Sequence, residues 1–321
     1  MRRPGARTSR RSLLAAGAGA VLAAAASPAS ASPAVSPAAS PAGAASAAAT
    51  PPVAATAARR ELRALEREHG ARLGAYAHDT ATGRTVAYRA DERFPMCSVF
   101  KTLGAAAVLR DLDREGEFLA RRIHYTERDV QRAGHVPVTS RPENLAGGMT
   151  VEELCACSIT HSDSAAANLL LHELGGPTAI TRFVRSLGDR VTRLDRWEPE
   201  LNSAEPWRVT DTTSPRAIGR TYGSLVLGDA LDAGDRRRLT GWLLANTTSE
   251  HRFRAGLPGD WTLADKTGGG EYGTNNDAGI AWPPGRPPVV LTVLTTKPDP
   301  DAGADDPLVA KAASVLAAAL S

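Results

Sequence analysis

Ser98 and Lys101 stand three residues apart in an apolar, alanine-rich stretch, Phe94-Pro95-Met96-Cys97-Ser98-Val99-Phe100-Lys101-Thr102-Leu103-Gly104-Ala105-Ala106-Ala107-Val108-Leu109. Pro95 disfavours helix just before it, and the residues from Ser98 onward are helix-compatible. A helix begun near Ser98 places Lys101 one turn on, on the same face. A hydroxyl and an amine then lie side by side in greasy surroundings, where burial disfavours the charged ammonium. A neutral lysine can take the proton of the serine and make it a nucleophile. Backbone N–H groups at a helix N-terminus also favour the negative charge of an oxyanion. Without chemistry, the same pattern is an N-capping serine and a lysine reaching solvent, and Ser-x-x-Lys is common by chance.

Three further stretches carry reactive or polar groups. In Ile159-Thr160-His161-Ser162-Asp163-Ser164-Ala165-Ala166-Ala167-Asn168, polar residues interrupt an apolar helical pattern. Ser162 and Asp163 read either as turn and cap residues or, for Ser162, as a second hydroxyl aimed into a cleft. The segment Thr192-Arg193-Leu194-Asp195-Arg196-Trp197-Glu198-Pro199-Glu200-Leu201-Asn202 is dense in charge yet carries Trp197 and Leu201. It runs on to Asp211-Thr212-Thr213-Ser214-Pro215, which suggests a long self-packed loop with Arg196 and Asp211 closing its neck. Glu198 then points inward as a carboxylate base and Asn202 holds a water; the alternative is a solvated charged loop. Finally, Trp261-Thr262-Leu263-Ala264-Asp265-Lys266-Thr267-Gly268-Gly269-Gly270 reads as a strand running into glycines.

The elements that must position these groups are legible in outline. An amphipathic helix over residues 58–66 is stopped by Gly70. Two short strands follow, Arg72–Ala77 and Arg84–Tyr88, joined by a turn at Thr82-Gly83. More than a hundred residues after Ser98 look mainly helical, including a capping box at Thr150-Val151-Glu152-Glu153 that opens a helix through Cys157. Residues 278–282 and 289–294 make a hairpin over Pro283-Pro284-Gly285-Arg286, and Leu308–Leu320 is a closing helix. Strands at both ends with helices between predict an α+β fold. One antiparallel sheet is built from both chain ends, flanked by helices, with an all-helical domain inserted. The expected division is 58–96 with 245–321, against 97–244.

The totals bound the partners. The chain has 321 residues, 42% of them hydrophobic, and a formal net charge of +3. Residues 1–31 hold five arginines and no acid. Without them 33 basic residues face 35 acidic ones, a net of −2, which gives no argument for nucleic acid or an anionic membrane as partner. The twin arginine in Ser9-Arg10-Arg11-Ser12-Leu13-Leu14, the small apolar run Ala15 to Ala26 and Ala29-Ser30-Ala31 read as a cleavable twin-arginine-type export signal over 1–31. Residues 32–57, almost wholly Ala, Pro, Ser, Val and Thr, read as a disordered linker. The expected product is secreted, with no stable membrane anchor, and monomeric. Cys155 and Cys157, two apart in a helix, face opposite sides; all three cysteines read as buried free thiols, the alternative being a pairing of Cys97 with one of the distant two. No cysteine or histidine spacing resembles a zinc site.

Ser98–Lys101, Ser162-Asp163-Ser164 and Lys266-Thr267-Gly268 stand in the order of the Ser-x-x-Lys, Ser-Asp-Asn and Lys-Thr-Gly signature of class A β-lactamases and penicillin-binding proteins. Arg196-Trp197-Glu198-Pro199-Glu200-Leu201-Asn202 resembles the Glu-x-x-Leu-Asn omega loop that separates class A β-lactamases from their peptidase relatives. The resemblance covers roughly residues 58–321. It implies two-step acyl transfer on a small-molecule β-lactam, with no cofactor and no metal. Ser98 is the implied nucleophile, with Lys101, or Glu198 through a water, as its base. Ser162 passes a proton to the leaving nitrogen, with Lys266 nearby. Ser98 and Gly269 N–H groups form the oxyanion hole, Lys266, Thr267 and Arg252 take the substrate carboxylate, Gly268 lies with them in the substrate-binding site, and Glu198 with Asn202 directs the deacylating water.

Two departures stand out. Ser164 replaces the family's asparagine, which implies weaker acylation by acylamino β-lactams. Around Arg132-Ala133-Gly134-His135-Val136-Pro137 the aromatic gate is changed, with His135 nearest. Cys97 precedes the serine as in some carbapenem-hydrolysing members, but its disulfide partner there would fall near Gly270, so that bridge is absent. The rival readings are a slow penicillin-binding protein or D-alanyl-D-alanine peptidase, a penicillin sensor, and a homologue that binds without turnover.

Overall fold

A computed structural model describes residues 53–320. The expected export signal, and the linker up to residue 52, lie outside the described residues. Residues 53–57, expected in that linker, instead begin helix α1, Val53–Glu68, whose Ala55, Ala58 and Leu62 are buried. Alanine-rich composition argues equally for a spacer and for a helix; a face to pack against decides between them.

The chain then lays down β1 (Arg72–Asp79), β2 (Thr85–Tyr88) and β3 (Phe94–Pro95), and reaches a 3₁₀ turn at Cys97–Val99. Helix α2 (Phe100–Ala107) is buried at every residue and continues into a π turn at Val108–Leu112. Short pieces follow: α3 (Glu117–Ala120), β4 (Arg122–Ile123), α4 (Glu127–Ala133), α5 (Pro142–Gly147) and β5 (Met149–Thr150). Helix α6 (Val151–Thr160) opens with the expected capping box between Thr150 and Glu153 and runs one turn further than expected. Next come α7 (Ser164–Leu174) and α8 (Thr178–Ser186). A long loop, helical only in a 3₁₀ turn at Glu200–Ser203, leads to β6 (Thr212–Thr213). The chain closes through α9 (Pro215–Val226), α10 (Ala233–Leu244), α11 (Phe253–Gly256), β7 (Thr262–Gly270), β8 (Thr274–Trp282), β9 (Val289–Thr296) and α12 (Asp306–Leu320).

The main sheet is antiparallel throughout in the order β2-β1-β9-β8-β7, so its strands come from both chain ends as expected. One face carries α1, α11 and α12 over Leu62, Leu73, Leu291, Leu308 and Leu316. The other face, including Tyr76, Ile280 and Leu294, shares one apolar cluster with α2, α6, α7, α8, α9 and α10. Helix α2 is enclosed by α6, α7, α8 and α10, and the turn that leads into it packs on β7 and β8. A helix that is apolar all round belongs in such a position. Among the described residues no helix is long and apolar enough to cross a membrane.

Candidate active site

The site forms where α2 begins. Ser98 lies in the 3₁₀ turn rather than at the start of an α-helix, and the α-helix starts two residues later at Phe100. Lys101 is three residues on from Ser98, in the first turn of α2. The turn is wedged between strands. Tyr222 Oη donates to Val99 O at 2.8 Å, and Met96 N–H donates to Asp211 O at 2.8 Å. A Cβ on Gly268 would lie 3.0 Å from Met96 O and 3.2 Å from Ser98 N, so any side chain there would crowd the backbone of the turn and push β7 away from it.

Lys101 is fully buried and sits in a ring of oxygens. Its Nζ donates to Ser162 O at 2.7 Å and to Ser164 Oγ at 3.1 Å, and lies 3.0 Å from Glu198 Oε1. Among the described residues none of its hydrogen bonds goes to Ser98 Oγ. Ser162 stands at φ +57°, between α6 and α7, and its Oγ accepts from Lys266 Nζ at 3.0 Å. Lys266 Nζ also donates to Thr267 O at 2.9 Å. Burial, helped by the positive charges of Lys101 and Arg252, pushes the Lys266 pKa well below its ordinary 10.5. Ser162 and Asp163 of the central motif thus separate in role. Asp163 caps α7 through Ala166 N–H and accepts from Val138 N–H, Thr139 N–H and Thr139 Oγ, a structural clamp. Ser162 faces the lysines.

Glu198 is buried, not solvated. Its Oε2 accepts from Asn202 Nδ2, while Oε1 touches the Lys101 ammonium without an aligned hydrogen bond. Asn202 Oδ1 is likewise buried and unpartnered. A buried acceptor without a donor is unfavourable by roughly 1–3 kcal/mol, and these two suit a water that donates to both. Asn168 on α7 holds the loop from behind: its Oδ1 accepts Glu198 N–H at 3.0 Å and its Nδ2 donates to Glu198 O at 2.9 Å, beside the cis Glu198–Pro199 bond. The neck closes as expected, with Arg196 Nε 2.6 Å from Asp211 Oδ2, while Asp211 Oδ1 accepts Asp195 and Arg196 N–H groups. The loop is tied to the nucleophile turn through β3 and β6, which pair Phe94 with Thr213 and Pro95 with Thr212.

The expected carboxylate-binding residues line the β7 side. Thr267 Oγ1 contacts Thr248 Oγ1. Arg252 is held by Asp306 Oδ1 at 2.8 Å, and its Nη1 donates to Gly268 O and Asn276 O, both at 3.0 Å. Its Nη2 is 4.0 Å from where a Gly269 Cβ would be, which puts the guanidinium behind the two glycines. His135 flanks the central motif: its carbonyl accepts Ser164 N–H at 2.8 Å and its Nε2 lies 3.1 Å from His161 O. Cys97, Cys155 and Cys157 are buried free thiols, all pushed up in pKa by burial. A Cβ on Gly270 would lie 2.9 Å from Cys97 Sγ, so the place of the missing disulfide partner is as expected.

Asn168, Asn275, Asn276 and Asp306 were not singled out by the sequence reading. One signal was present: Asn275-Asn276-Asp277 are consecutive polar residues in a strand buried along nearly its whole length, and buried polar residues rarely lack a purpose.

Residues 57–320 match a family model described as the β-lactamase enzyme family. The chain is 75% identical over 261 residues to a β-lactamase of Streptomyces lavendulae, covering 81% of this chain and 86% of that one. A solved β-lactamase from Streptomyces albus G superposes with a TM-score of 0.81 at 75% identity, over 82% of this chain and 98% of that one. An ancestral class A β-lactamase, GNCA, superposes with a TM-score of 0.77 at 52% identity, over 82% of this chain and 99% of that one.

Proposed function

The chain belongs to the class A serine β-lactamases and hydrolyses β-lactams, and from that premise we propose the role of each residue in the cleft. Ser98 Oγ attacks the lactam carbonyl carbon, the C–N bond breaks, and Ser98 is left as an ester. The proton of Ser98 leaves through a water held by Glu198. The observation that carries this choice of base is the crowding at Lys101. Its Nζ already donates to Ser162 O and Ser164 Oγ and makes no hydrogen bond to Ser98 Oγ, while Glu198 Oε1 has no donor among the described residues and is free to hold the water. Lys101 then serves as the fixed positive charge of the cleft.

Ser162 Oγ gives its proton to the departing lactam nitrogen and is reprotonated by Lys266, 3.0 Å away. A lysine whose pKa is lowered by burial releases a proton more readily, which suits that step. Ser98 and Gly269 N–H groups receive the oxyanion. Lys266, Thr267 and Arg252 take the substrate carboxylate, Arg252 from behind Gly268 and Gly269. Between the halves the proton received at Glu198 passes to bulk water and Lys266 regains one from it. The Glu198 carboxylate then takes a proton from a water steered by Asn202, the water oxygen attacks the ester carbonyl, and that proton passes to Ser98 Oγ as the ester C–O bond breaks.

Secretion by the twin-arginine route, as a monomer, completes the proposal; it is supported by the arginine pair ahead of a short apolar run. Steady-state hydrolysis of a chromogenic cephalosporin tests the site assignment. Wild type turns over continuously, and Ser98→Ala abolishes turnover without loss of fold; a Ser98→Ala protein that still hydrolyses the substrate at the wild-type rate contradicts it.

A further inference from the structure

The turn that presents Ser98 is weakly held by its own residues. Met96 offers it no side-chain cap, and Cys97 stands at φ +46°, a left-handed conformation that a side chain rarely adopts. Such a turn persists only when its surroundings over-determine it. The fully buried side chain of Asn276 on β8 does so from below. Its Nδ2 donates to Pro95 O at 3.0 Å and to Met96 O at 3.2 Å, the carbonyls that lead into the turn. Its Oδ1 accepts Thr295 N–H from β9 at 3.1 Å, and its own carbonyl accepts Arg252 Nη1 at 3.0 Å. The same Nη1 donates to Gly268 O on β7.

One residue therefore ties the chain before the nucleophile to two central strands and to the arginine behind the glycines. The bond to Met96 O fixes the Met96–Cys97 peptide plane. That plane sets how Cys97 enters its left-handed conformation, and so where the next amide, Ser98 N–H, points. We infer that Asn276 is a positioning residue for acylation: through the carbonyls of Pro95 and Met96 it aims the Ser98 hydroxyl and amide at the scissile carbonyl, while touching neither Ser98 nor substrate. This rests on the reading of Ser98 as nucleophile. Oxyanion donors act only if they are already in place when charge develops, and small displacements are felt strongly in the rate.

The test compares Asn276→Ser, which removes both bonds to the turn, with Asn276→Asp, which keeps the shape but faces two carbonyls with an acceptor. At a temperature where each variant is folded by circular dichroism, three quantities are measured. These are the single-turnover acylation rate, the affinity for an aryl boronic acid, whose tetrahedral adduct uses the oxyanion donors, and the pre-covalent substrate affinity. Acylation and boronate affinity are expected to fall together by about 10- to 100-fold, with pre-covalent affinity changed by less than about threefold. A folded variant that acylates and binds the boronate within about threefold of wild type overturns the inference. On wild-type protein, which sidesteps any failure to fold, the Asn276 side-chain amide resonances are expected to move when the boronate binds, and unmoved resonances overturn the inference. Absence of a boronate adduct on Ser98 in wild type would instead overturn the nucleophile assignment itself.

Discussion

Ser164 is the residue at which this cleft departs most clearly from its family. Its hydroxyl holds Lys101 at 3.1 Å, so the contact to the lysine is kept by a shorter group. A hydroxyl already used in this way leaves no amide to reach a substrate's acylamino carbonyl. Ser164→Asn is therefore expected to raise kcat/KM for acylamino penicillins by several-fold to about tenfold, the scale of one added hydrogen bond of about 0.5–1.5 kcal/mol. The gain belongs in acylation, measured by stopped-flow; an unchanged kcat/KM contradicts it. Lys101 and Glu198 also show why charge alone does not assign roles. Both are buried and in contact at 3.0 Å, and the assignment of base and fixed charge rests on how many partners each already has.

At the scale of elements, the loop from Arg193 to Asp211 works because two short strands and one ion pair clamp its ends. Arg196→Ala removes the guanidinium from the buried Asp211 carboxylate while the two backbone donors to Asp211 remain. The expected loss is about 2 kcal/mol, the scale of a hydrogen bond to a charged group and less than for a fully buried pair because Arg196 is partly exposed, and deacylation should fall more than acylation because Glu198 and Asn202 ride on the loop. Thermal unfolding and single-turnover kinetics check both; equal losses in the two half-reactions contradict the second. The sequence disclosed those parts of this arrangement that are local. Ser98–Lys101, the capping box at Thr150 and the Arg196–Asp211 neck each announce themselves within a few residues or by simple charge pairing. The hold of Asn168 on Glu198 and of Asn276 on Pro95 spans about 30 and 180 residues, and no periodicity encodes such contacts. The 3₁₀ geometry of the Ser98 turn was also illegible, since helix propensity does not distinguish bonds to the third and fourth residue. The helical start at Val53 depended on a sheet face that composition cannot reveal.

The molecule as a whole stores polar groups beneath the cleft, and this should show in its response to pH. Asp265 and Asp277 are fully buried on neighbouring strands, and the nearest cation to Asp265 is Arg254 at 3.7 Å. As two carboxylates neither can donate to the other; with one shared proton they can. Burial raises both pKa values, Asp277 well above its ordinary 3.8. The folded chain thus keeps a proton that the unfolded chain loses, so this pair makes stability fall as pH rises from near the unfolded value through the folded one. Asp277→Asn, which cannot ionise and can donate to Asp265, should flatten that fall. Urea unfolding at about pH 5 and about pH 8 should show the variant gaining on wild type at the higher pH, and parallel behaviour at both contradicts it. Catalysis by this chain rests on an ester made at Ser98 and released by Glu198. The most direct test is intact-mass and peptide mass spectrometry of Glu198→Ala after brief exposure to benzylpenicillin. The prediction is a long-lived adduct of one antibiotic per chain on the peptide bearing Ser98, while wild type under the same conditions returns unmodified with all antibiotic hydrolysed. A Glu198→Ala protein that turns over like wild type and accumulates no adduct would contradict it.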